Sequence, residues 1–422
     1  MAEPMWRQLD IAVIGGGIGG FAVATSLRRA GHKVTIYERA HYAGEVGASI
    51  SCAANGTRWL EDWNVNIEIG KPVILKSLIR HDWSTGEVID TYDLKDYKET
   101  WGYVYYMFHR VNLHEMLMDS ATGEGSGIPA KLVLDHKCVD IDLDAGVITF
   151  KNGSTAHHDM VVGADGIGSV VRSILGVKVQ KTRSRSACLH CIITSDKVKE
   201  LGLVDYTVNN AIEYWGGQGI HKIVYSPCRY GQINSFYCFS PLEFSKSGNE
   251  GWNYEATVEE LLEPYGDLDK NLLAIFKNSW DIKPWRLWVH EPYTHWHKGV
   301  ACIMGDAAHP MMPDQSQGAC QAIEDAAALG IIFSKDFGFT QDIQAGLELY
   351  QRIRKPRATR VQAASARARE NITERIGFSS NTKNPTYRVA SEKDKLTIEE
   401  MNLYDMKIDI SQQAASLTRA RI

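Results

Sequence analysis

The residues best suited to chemistry lie in one stretch of the sequence, Met304–Leu329, which is MGDAAHPMMPDQSQGACQAIEDAAAL. The apolar run Val300–Met304 that leads into it predicts a buried strand that ends at Gly305 and Asp306. At this turn the glycine lets the backbone approach a ligand, and the carboxylate can bind a sugar hydroxyl. Gln317 and Gly318 are expected to open a helix whose free N–H groups would face an electron-rich ring edge. The stretch therefore predicts a loop that contacts a flavin.

A second motif lies near the N-terminus, where an apolar strand runs directly into the sequence GGGIGG. In this G-x-G-x-x-G pattern, Gly15 allows the tight turn and Gly17 admits a pyrophosphate. Gly20 lets the following helix pack on the strand. Glu38 ends the next predicted strand, about 20 residues on, where a βαβ unit places an acceptor for ribose hydroxyls. Together these residues predict a Rossmann-like dinucleotide site.

A third element, Asp159–Arg172, again combines a strand with a glycine-rich turn and contains Asp165. The order of the three elements resembles that of the single-component flavin aromatic hydroxylases, which share the fold of p-hydroxybenzoate hydroxylase. The similarity is greatest to the salicylate hydroxylase-like and 6-hydroxynicotinate 3-monooxygenase-like branch. It covers about residues 8 to 375. The residues that carry it are Gly47–Ile50, Ala54-Asn55, His109-Arg110 and the sequences GDAAHPMMP and QGACQAIEDA.

This resemblance implies an α/β fold, in which a Rossmann-like FAD-binding domain is interleaved with a β-sheet substrate domain and followed by C-terminal helices. The length of 422 residues suits two such domains. Short strands rich in Tyr, Val, Ile and Trp support the substrate sheet. The predicted boundaries are 1–70, 102–179 and 289–376 for the FAD-binding domain, 71–101 and 180–288 for the substrate domain, and 377–422 for a polar C-terminal extension.

The resemblance also implies the chemistry. FAD would be held permanently, and NADH or NADPH would bind transiently, because the sequence has only one G-x-G-x-x-G motif. A flavin C4a-hydroperoxide formed from O₂ would hydroxylate a small electron-rich aromatic substrate, foremost a phenolic or hydroxy-heteroaromatic acid, with or without loss of its carboxylate. Two alternatives stay open. One is a biosynthetic hydroxylase or epoxidase of a larger aromatic or indole metabolite, and the other is a non-catalytic flavin-binding redox or interaction protein.

Further site residues are assigned from the same resemblance. Arg110 is expected near the flavin and Arg39 near the adenosine half, although either could be a surface cation. Ala48 and Ser49 are expected to back the ring. The carbonyl of Pro313 is expected to lie against the isoalloxazine. The predicted cofactor-binding residues are therefore Gly15, Gly17, Gly20, Glu38, Arg39, Ala48, Ser49, Arg110, Asp165, Gly305, Asp306, Gln317 and Gly318, and Pro313 counts among the catalytic residues.

His221 and Tyr225 are the predicted substrate-binding pair. They lie four positions apart in a predicted strand, so their side chains share one face of the sheet. Such a pair could hold a phenolate and a carboxylate, and its layout is similar to that of substrate-contacting residues in the 6-hydroxynicotinate 3-monooxygenase-like relatives. A purely structural role for both residues stays open.

Asp314 marks a departure from the pattern of the branch, because an acid stands where an aromatic residue is common. If its carboxylate faced the pocket, it would repel a carboxylate substrate, which puts salicylate itself in doubt. The segment Asp342–Ile376 predicts a helix that Pro356 kinks or divides. Its many arginines and lysines predict a solvated basic face.

Composition narrows the class of protein. A net charge of −5 with a pI near 6.3 gives no general attraction to nucleic acid or anionic membranes. No apolar run approaches the ~20 residues of a membrane span and no signal peptide is visible, which favours a cytoplasmic location. A monomer or homodimer is expected. The eight scattered cysteines suit a reducing compartment. Cys188 and Cys191 have zinc-like spacing without a second pair, so a strand is expected there and no metal.

Overall fold

The computed structural model describes residues 6–41, 48–245, 254–379 and 396–420. In chain order its strands are β1 Asp10–Ile14, β2 Lys33–Tyr37, β3 Ser49–Cys52, β4 Val73–Ile74, β5 Ser77–His81, β6 Val88–Asp93, β7 Tyr106–His109, β8 Lys131–Val133, β9 Cys138–Asp142, β10 Val147–Phe150, β11 Thr155–His157, β12 Met160–Gly163, β13 Lys181–Arg183, β14 Ser186–Thr194, β15 Ala211–Gly216, β16 Lys222–Cys228, β17 Ile233–Pro241, β18 Trp280–Trp285, β19 Trp288–His290, β20 His297–Lys298 and β21 Ala301–Ile303.

The α-helices alternate with these strands and then dominate the C-terminal part. They are α1 Ile18–Arg29, α2 Ala54–Asp62, α3 Tyr97–Trp101, α4 Arg110–Thr122, α5 Val170–Ile174, α6 Ser195–Glu200, α7 Val258–Leu262, α8 Lys270–Lys277, α9 Gly318–Ile332, α10 Ile343–Glu370, α11 Ile398–Asn402 and α12 Met406–Ala420. Among the described residues, none of these helices is both long enough and apolar enough to cross a membrane.

The first large sheet has six strands in the order β20-β21-β12-β1-β2-β8, parallel except for the β20–β21 pair. Its central strand β1 is apolar and buried from Ile11 to Ile14, as expected for a parallel strand covered on both faces. Helix α1 returns from β1 to β2 and packs on α9. This is the predicted Rossmann-like unit.

The second large sheet has seven strands in the order β18-β14-β17-β16-β15-β5-β6, all antiparallel except for the β15–β5 pair. Every strand of this sheet falls within the two segments predicted for the substrate domain, and the segment of Cys188 and Cys191 forms β14. One face is covered by α7 and α8 and carries an apolar cluster that includes Tyr225, Phe236 and Phe276. The opposite face is turned toward the first sheet.

The prediction of a solvated basic face on helix α10 is wrong for Arg354 and Arg369, which are buried. Arg354 is fully buried, and its guanidinium donates to Asp325 at 2.9 Å and to Glu324 at 2.6 Å. Arg369 is only 3% exposed. Pro356 lies inside one continuous helix rather than dividing it. Both acidic partners of Arg354 lie on the neighbouring helix α9, and Arg369 pairs with Asp314, so these two arginines are internal ion-pair partners.

The C-terminal extension is more ordered than its polar composition predicts. Within its described part, α11 and α12 bury Met401, Met406 and Ile410 against the rest of the chain. The carbonyl of Met401 accepts a hydrogen bond from Arg357 of α10 at 2.9 Å.

Replacing Arg354 by methionine is expected to lower the free energy of unfolding by about 3–5 kcal/mol, because two buried carboxylates would lose their main partner. Urea denaturation would measure this. The control is Arg352→Met on the same helix, whose side chain is 42% exposed and pairs with Glu348. That change should cost at most about 0.5 kcal/mol. Equal small effects for both variants would contradict the structural role of Arg354.

Candidate functional site: a cavity between two sheets

A cavity of about 560 Å³ runs between the six-stranded and seven-stranded sheets. This volume lies within the range of cofactor and ligand sites. Loops that follow strands β1, β2, β8, β12 and β21 of the first sheet form one side, and strands β15, β16 and β17 form the other. The predicted cofactor-binding residues that line it are Gly15, Gly17, Glu38, Arg39, Ser49, Arg110, Asp165, Gly305, Asp306 and Gly318.

The glycine-rich loop packs so closely on neighbouring backbone that a side chain at Gly15 or Gly20 would clash. Gly15 has φ of +108°, and a Cβ atom there would lie 2.6 Å from the carbonyl oxygen of Ala164. Gly20 does not line the cavity; a Cβ atom there would lie 1.9 Å from the oxygen of Gly15. Helix α1 begins after Gly17, and none of the described side chains caps it. Its first N–H groups can therefore bind an anionic ligand.

Glu38 closes the same end of the cavity. Its carboxylate accepts hydrogen bonds from the backbone N–H of Gly16 at 2.7 Å and of Ala40 at 2.9 Å. Arg39 lies beside it on the cavity wall, together with His136 and Lys137. His136 and Lys137 were not predicted. They belong to the loop after β8, and this loop lies beside Glu38 because β8 pairs in parallel with β2.

Asp165 lines the cavity, but its carboxylate is occupied by the protein. It accepts hydrogen bonds from the Ser169 hydroxyl at 2.5 Å and from the Val170 amide at 2.7 Å. Burial raises the pKa of Asp165, and these hydrogen bonds oppose that rise. Arg172, in the short helix α5 that follows this turn, donates to the carbonyl of Ala307 at 3.2 Å. The third motif therefore supports the loop that carries Asp306.

Asp325 of helix α9 fixes the loop at Gly305 and Asp306. The Asp325 carboxylate accepts from the Gly305 N–H at 2.9 Å and contacts Nε2 of His309 at 2.5 Å. Burial alone would raise the pKa of Asp325, but His309 and Arg354 hold it below its ordinary value. With the loop fixed in this way, the exposed side chain of Asp306 lies at the cavity.

Helix α9 begins at this cavity, with Gly318 in the wall. The side chain of Gln317 instead accepts a hydrogen bond from Asn55 at 2.9 Å and does not line the cavity. Pro313 does line it, and its carbonyl accepts the Ser316 N–H at 2.8 Å, which closes a short turn. The proposed contact between that carbonyl and a flavin ring stays a prediction.

Strand β3, which forms a three-stranded sheet with β7 and β4, contacts the seven-stranded sheet. The carbonyl of Ser49 accepts a hydrogen bond from the Tyr237 hydroxyl at 2.8 Å, and its N–H donates to Ser235 at 3.2 Å. Ala48 is fully buried outside the cavity lining, and its carbonyl accepts the N–H of Arg110 at 2.7 Å. Gly47 of the same motif lies outside the described residues.

His221 and Tyr225 do share one face of the sheet, but it is the face away from the cavity. Tyr225 is fully buried in the apolar cluster under α8, where burial raises its pKa well above the ordinary value. His221 is exposed and stacks on Trp83 with ring centroids 5.8 Å apart. Their assignment as the substrate-binding pair of this cavity is therefore wrong. The residues of β16 that face the cavity are Lys222, Val224 and Ser226.

Lys222 forms a buried charge cluster with Asp314 and Arg369. Its ammonium group donates to Asp314 Oδ1 at 2.5 Å, and Arg369 donates to the same oxygen at 3.1 Å. Burial lowers the pKa of Lys222 to about 8, although Asp314 opposes the shift. The argument that Asp314 would repel a carboxylate is thereby overturned, because its charge is compensated by two cations. The alternation of side chains along β16 could have identified Lys222 as a residue of the opposite face from His221 and Tyr225.

Residues 8–365 match the family of FAD binding domain proteins. The chain belongs to this family. The FAD-dependent monooxygenase cfoG of Aspergillus candidus is 34% identical over 370 residues, which cover 85% of this chain and 84% of that protein. Hispidin-3-hydroxylase of Neonothopanus nambi is 29% identical over 431 residues, which cover 98% of each. The resemblance drawn from sequence and the activity class of FAD-dependent monooxygenase are confirmed.

The fold agrees with a solved structure of CtdE in complex with FAD and a substrate. The TM-score is 0.78 at 20% identity, covering 98% of this chain and 100% of CtdE. The predicted fold class, a Rossmann-like domain combined with a β-sheet domain, is confirmed.

The variant Gly15→Ala is expected to be purified with less than about one tenth of the wild-type FAD content, since a methyl group would clash with the Ala164 carbonyl in a left-handed turn. Flavin absorbance per mole of protein measures this. Gly266→Ala is the control, because a Cβ atom there has no described neighbour within 4 Å. Full FAD content in Gly15→Ala would contradict the assignment of this loop.

Proposed function

We propose that this FAD-dependent monooxygenase takes NADH or NADPH and O₂ as co-substrates and hydroxylates a phenolic or hydroxy-heteroaromatic acid. The observation that carries the proposal is one continuous cavity with two chemically different ends. One end presents a glycine-rich turn and an uncapped helix N-terminus, and the other presents aromatic side chains beside a buried lysine.

The residues at the first end suit FAD. The N–H groups at the start of α1 fit a pyrophosphate, and the Glu38 carboxylate fits ribose hydroxyls. Asp306 fits the hydroxyls of a ribityl chain, and the start of α9 at Gly318 fits an electron-rich ring edge. Bound FAD would supply the redox chemistry that carries electrons from NAD(P)H to O₂.

The residues at the second end suit an anionic aromatic substrate. Tyr237, Phe239 and Trp285 line this end and can pack against a flat ring. Lys222 and Arg369 provide two positive charges against the single carboxylate of Asp314.

A second candidate is hydroxylation of a larger aromatic metabolite. The aromatic lining supports it, and so does the similarity to hispidin-3-hydroxylase, whose name says that it hydroxylates hispidin. This candidate uses the same cofactor and the same cavity. The two candidates differ only in the size and charge of the molecule that reaches the second end.

The proposal predicts that a ring-hydroxylated acid accelerates NADH or NADPH oxidation by the FAD-loaded protein at least about tenfold over the rate without substrate. A panel of phenolic, pyridine and larger polyphenolic acids would be assayed for coenzyme loss and product mass together. Addition of one oxygen is the expected result, and simultaneous loss of CO₂ would identify decarboxylative hydroxylation.

The benzoic acids that lack the ring hydroxyl are the matched controls, since their rings are less electron-rich. Acceleration only by larger neutral aromatics would favour the second candidate. Coenzyme oxidation that yields hydrogen peroxide but no oxygenated product with every compound would contradict both.

A further inference from the structure

Lys222 is the buried cation of the cavity wall that the fold leaves only partly compensated. Its side chain is 1% exposed, and besides Asp314 its ammonium group donates to the carbonyl of Ala368 at 3.1 Å. Since an ammonium group has three donors, one remains beyond these two hydrogen bonds. The second oxygen of Asp314, Oδ2, has no hydrogen-bond partner among the described residues.

The charges around Lys222 do not balance. Arg369 and Arg375 face it and lower its pKa, and only Asp314 raises it. Arg375 is itself buried, and its guanidinium donates to the carbonyl of Ile376 and to the hydroxyl of Tyr105. Together with Lys222 itself, these described groups thus amount to three cations and one carboxylate. Buried charge of one sign is costly, and an anion entering the cavity would relieve it.

Aromatic rings surround the same point. The ring of Phe239 lies 3.8 Å from the Arg369 guanidinium carbon and 5.6 Å from the Lys222 ammonium nitrogen. Phe239 is paired with Lys222 across β16 and β17, so both side chains emerge on the cavity face. An aromatic ligand packed on this wall would carry its polar substituent next to the lysine.

We propose that Lys222, oriented by Asp314 and Arg369, binds the ring oxygen of the substrate in its ionised form. This inference rests on the proposed function, because it names the group that recognises the hydroxyaromatic substrate. The ring hydroxyl loses its proton to solvent on binding, and the resulting oxyanion accepts a hydrogen bond from the Lys222 ammonium. An ionised oxygen also makes the ring more electron-rich, which favours attack by electrophilic oxygen.

The test uses 4-nitrophenol, whose anion absorbs visible light and whose ionisation on the protein can be read directly. The FAD-loaded wild type is expected to bind it as the anion and to lower its apparent pKa. Lys222→Met should weaken binding by about tenfold or more and abolish the shift, as expected for the loss of a charged hydrogen bond. Lys222→Arg should keep the shift.

A pH series adds a readout that a structural role alone would not change. Because burial lowers the pKa of Lys222 to about 8, its positive charge is present below that pH and is lost above it. Binding of the anion by the wild type should therefore begin to fall above about pH 8. In Lys222→Arg the guanidinium stays charged, so binding should persist at higher pH.

Two further variants control for folding. Lys222→Gln removes the positive charge, keeps a hydrogen-bond donor beside Asp314 and leaves the pair of Asp314 with Arg369 in place. Lys283→Met is the matched control, because Lys283 lies in the same sheet and pairs with Asp281 outside the cavity lining. Lys222→Gln should hold FAD and still lack the shift in the apparent pKa of 4-nitrophenol, and Lys283→Met should resemble the wild type.

The inference is overturned if FAD-loaded Lys222→Met binds the nitrophenolate as tightly as the wild type. That result would leave the proposed function intact if panel compounds are still hydroxylated. Lysine-dependent binding of the anion without oxygenation of any panel compound would support the subsite and contradict the proposed substrate class.

Discussion

The buried contact between Arg354 and the two acids of α9 is the interaction on which the site depends. Arg354 joins α10 to Glu324 and Asp325, and Asp325 in turn holds the N–H of Gly305 and the ring of His309. The loop that carries Asp306 is thus fixed by charged hydrogen bonds that run from Arg354 on α10 through Asp325 on α9 to Gly305. Such contacts are strong only when every partner is present.

The cavity lies where two sheets of different chemistry meet. The six-stranded sheet offers backbone N–H groups and carboxylates, which suit phosphates and sugar hydroxyls. The seven-stranded sheet offers aromatic side chains and the charge cluster around Lys222. Strand β3 lies between them: Ser49 bonds to both Ser235 and Tyr237 of β17, and the Ser51 hydroxyl donates to the carbonyl of Ser316 just before α9. Cofactor and substrate would therefore be positioned by one continuous network.

Features set by local backbone geometry were predictable from the sequence. The turns at Gly15 and Gly305 are examples, since a tight turn with a close approach has few alternatives to glycine. Because side chains alternate along a strand, the sequence showed that His221 and Tyr225 share one face of the sheet. It did not show which face meets the cavity. That choice depends on α7 and α8, which cover one side from distant positions in the chain. The burial of Arg354 likewise depends on partners 29 and 30 residues away.

The central claim is that this chain inserts one atom of molecular oxygen into an aromatic ring. Turnover under ¹⁸O₂ in ordinary water, followed by mass spectrometry of the product, tests it most directly. One ¹⁸O atom is expected in each product molecule, because the inserted oxygen derives from O₂. A product that carries oxygen from water alone, or no oxygenated product while the coenzyme is consumed, would contradict it.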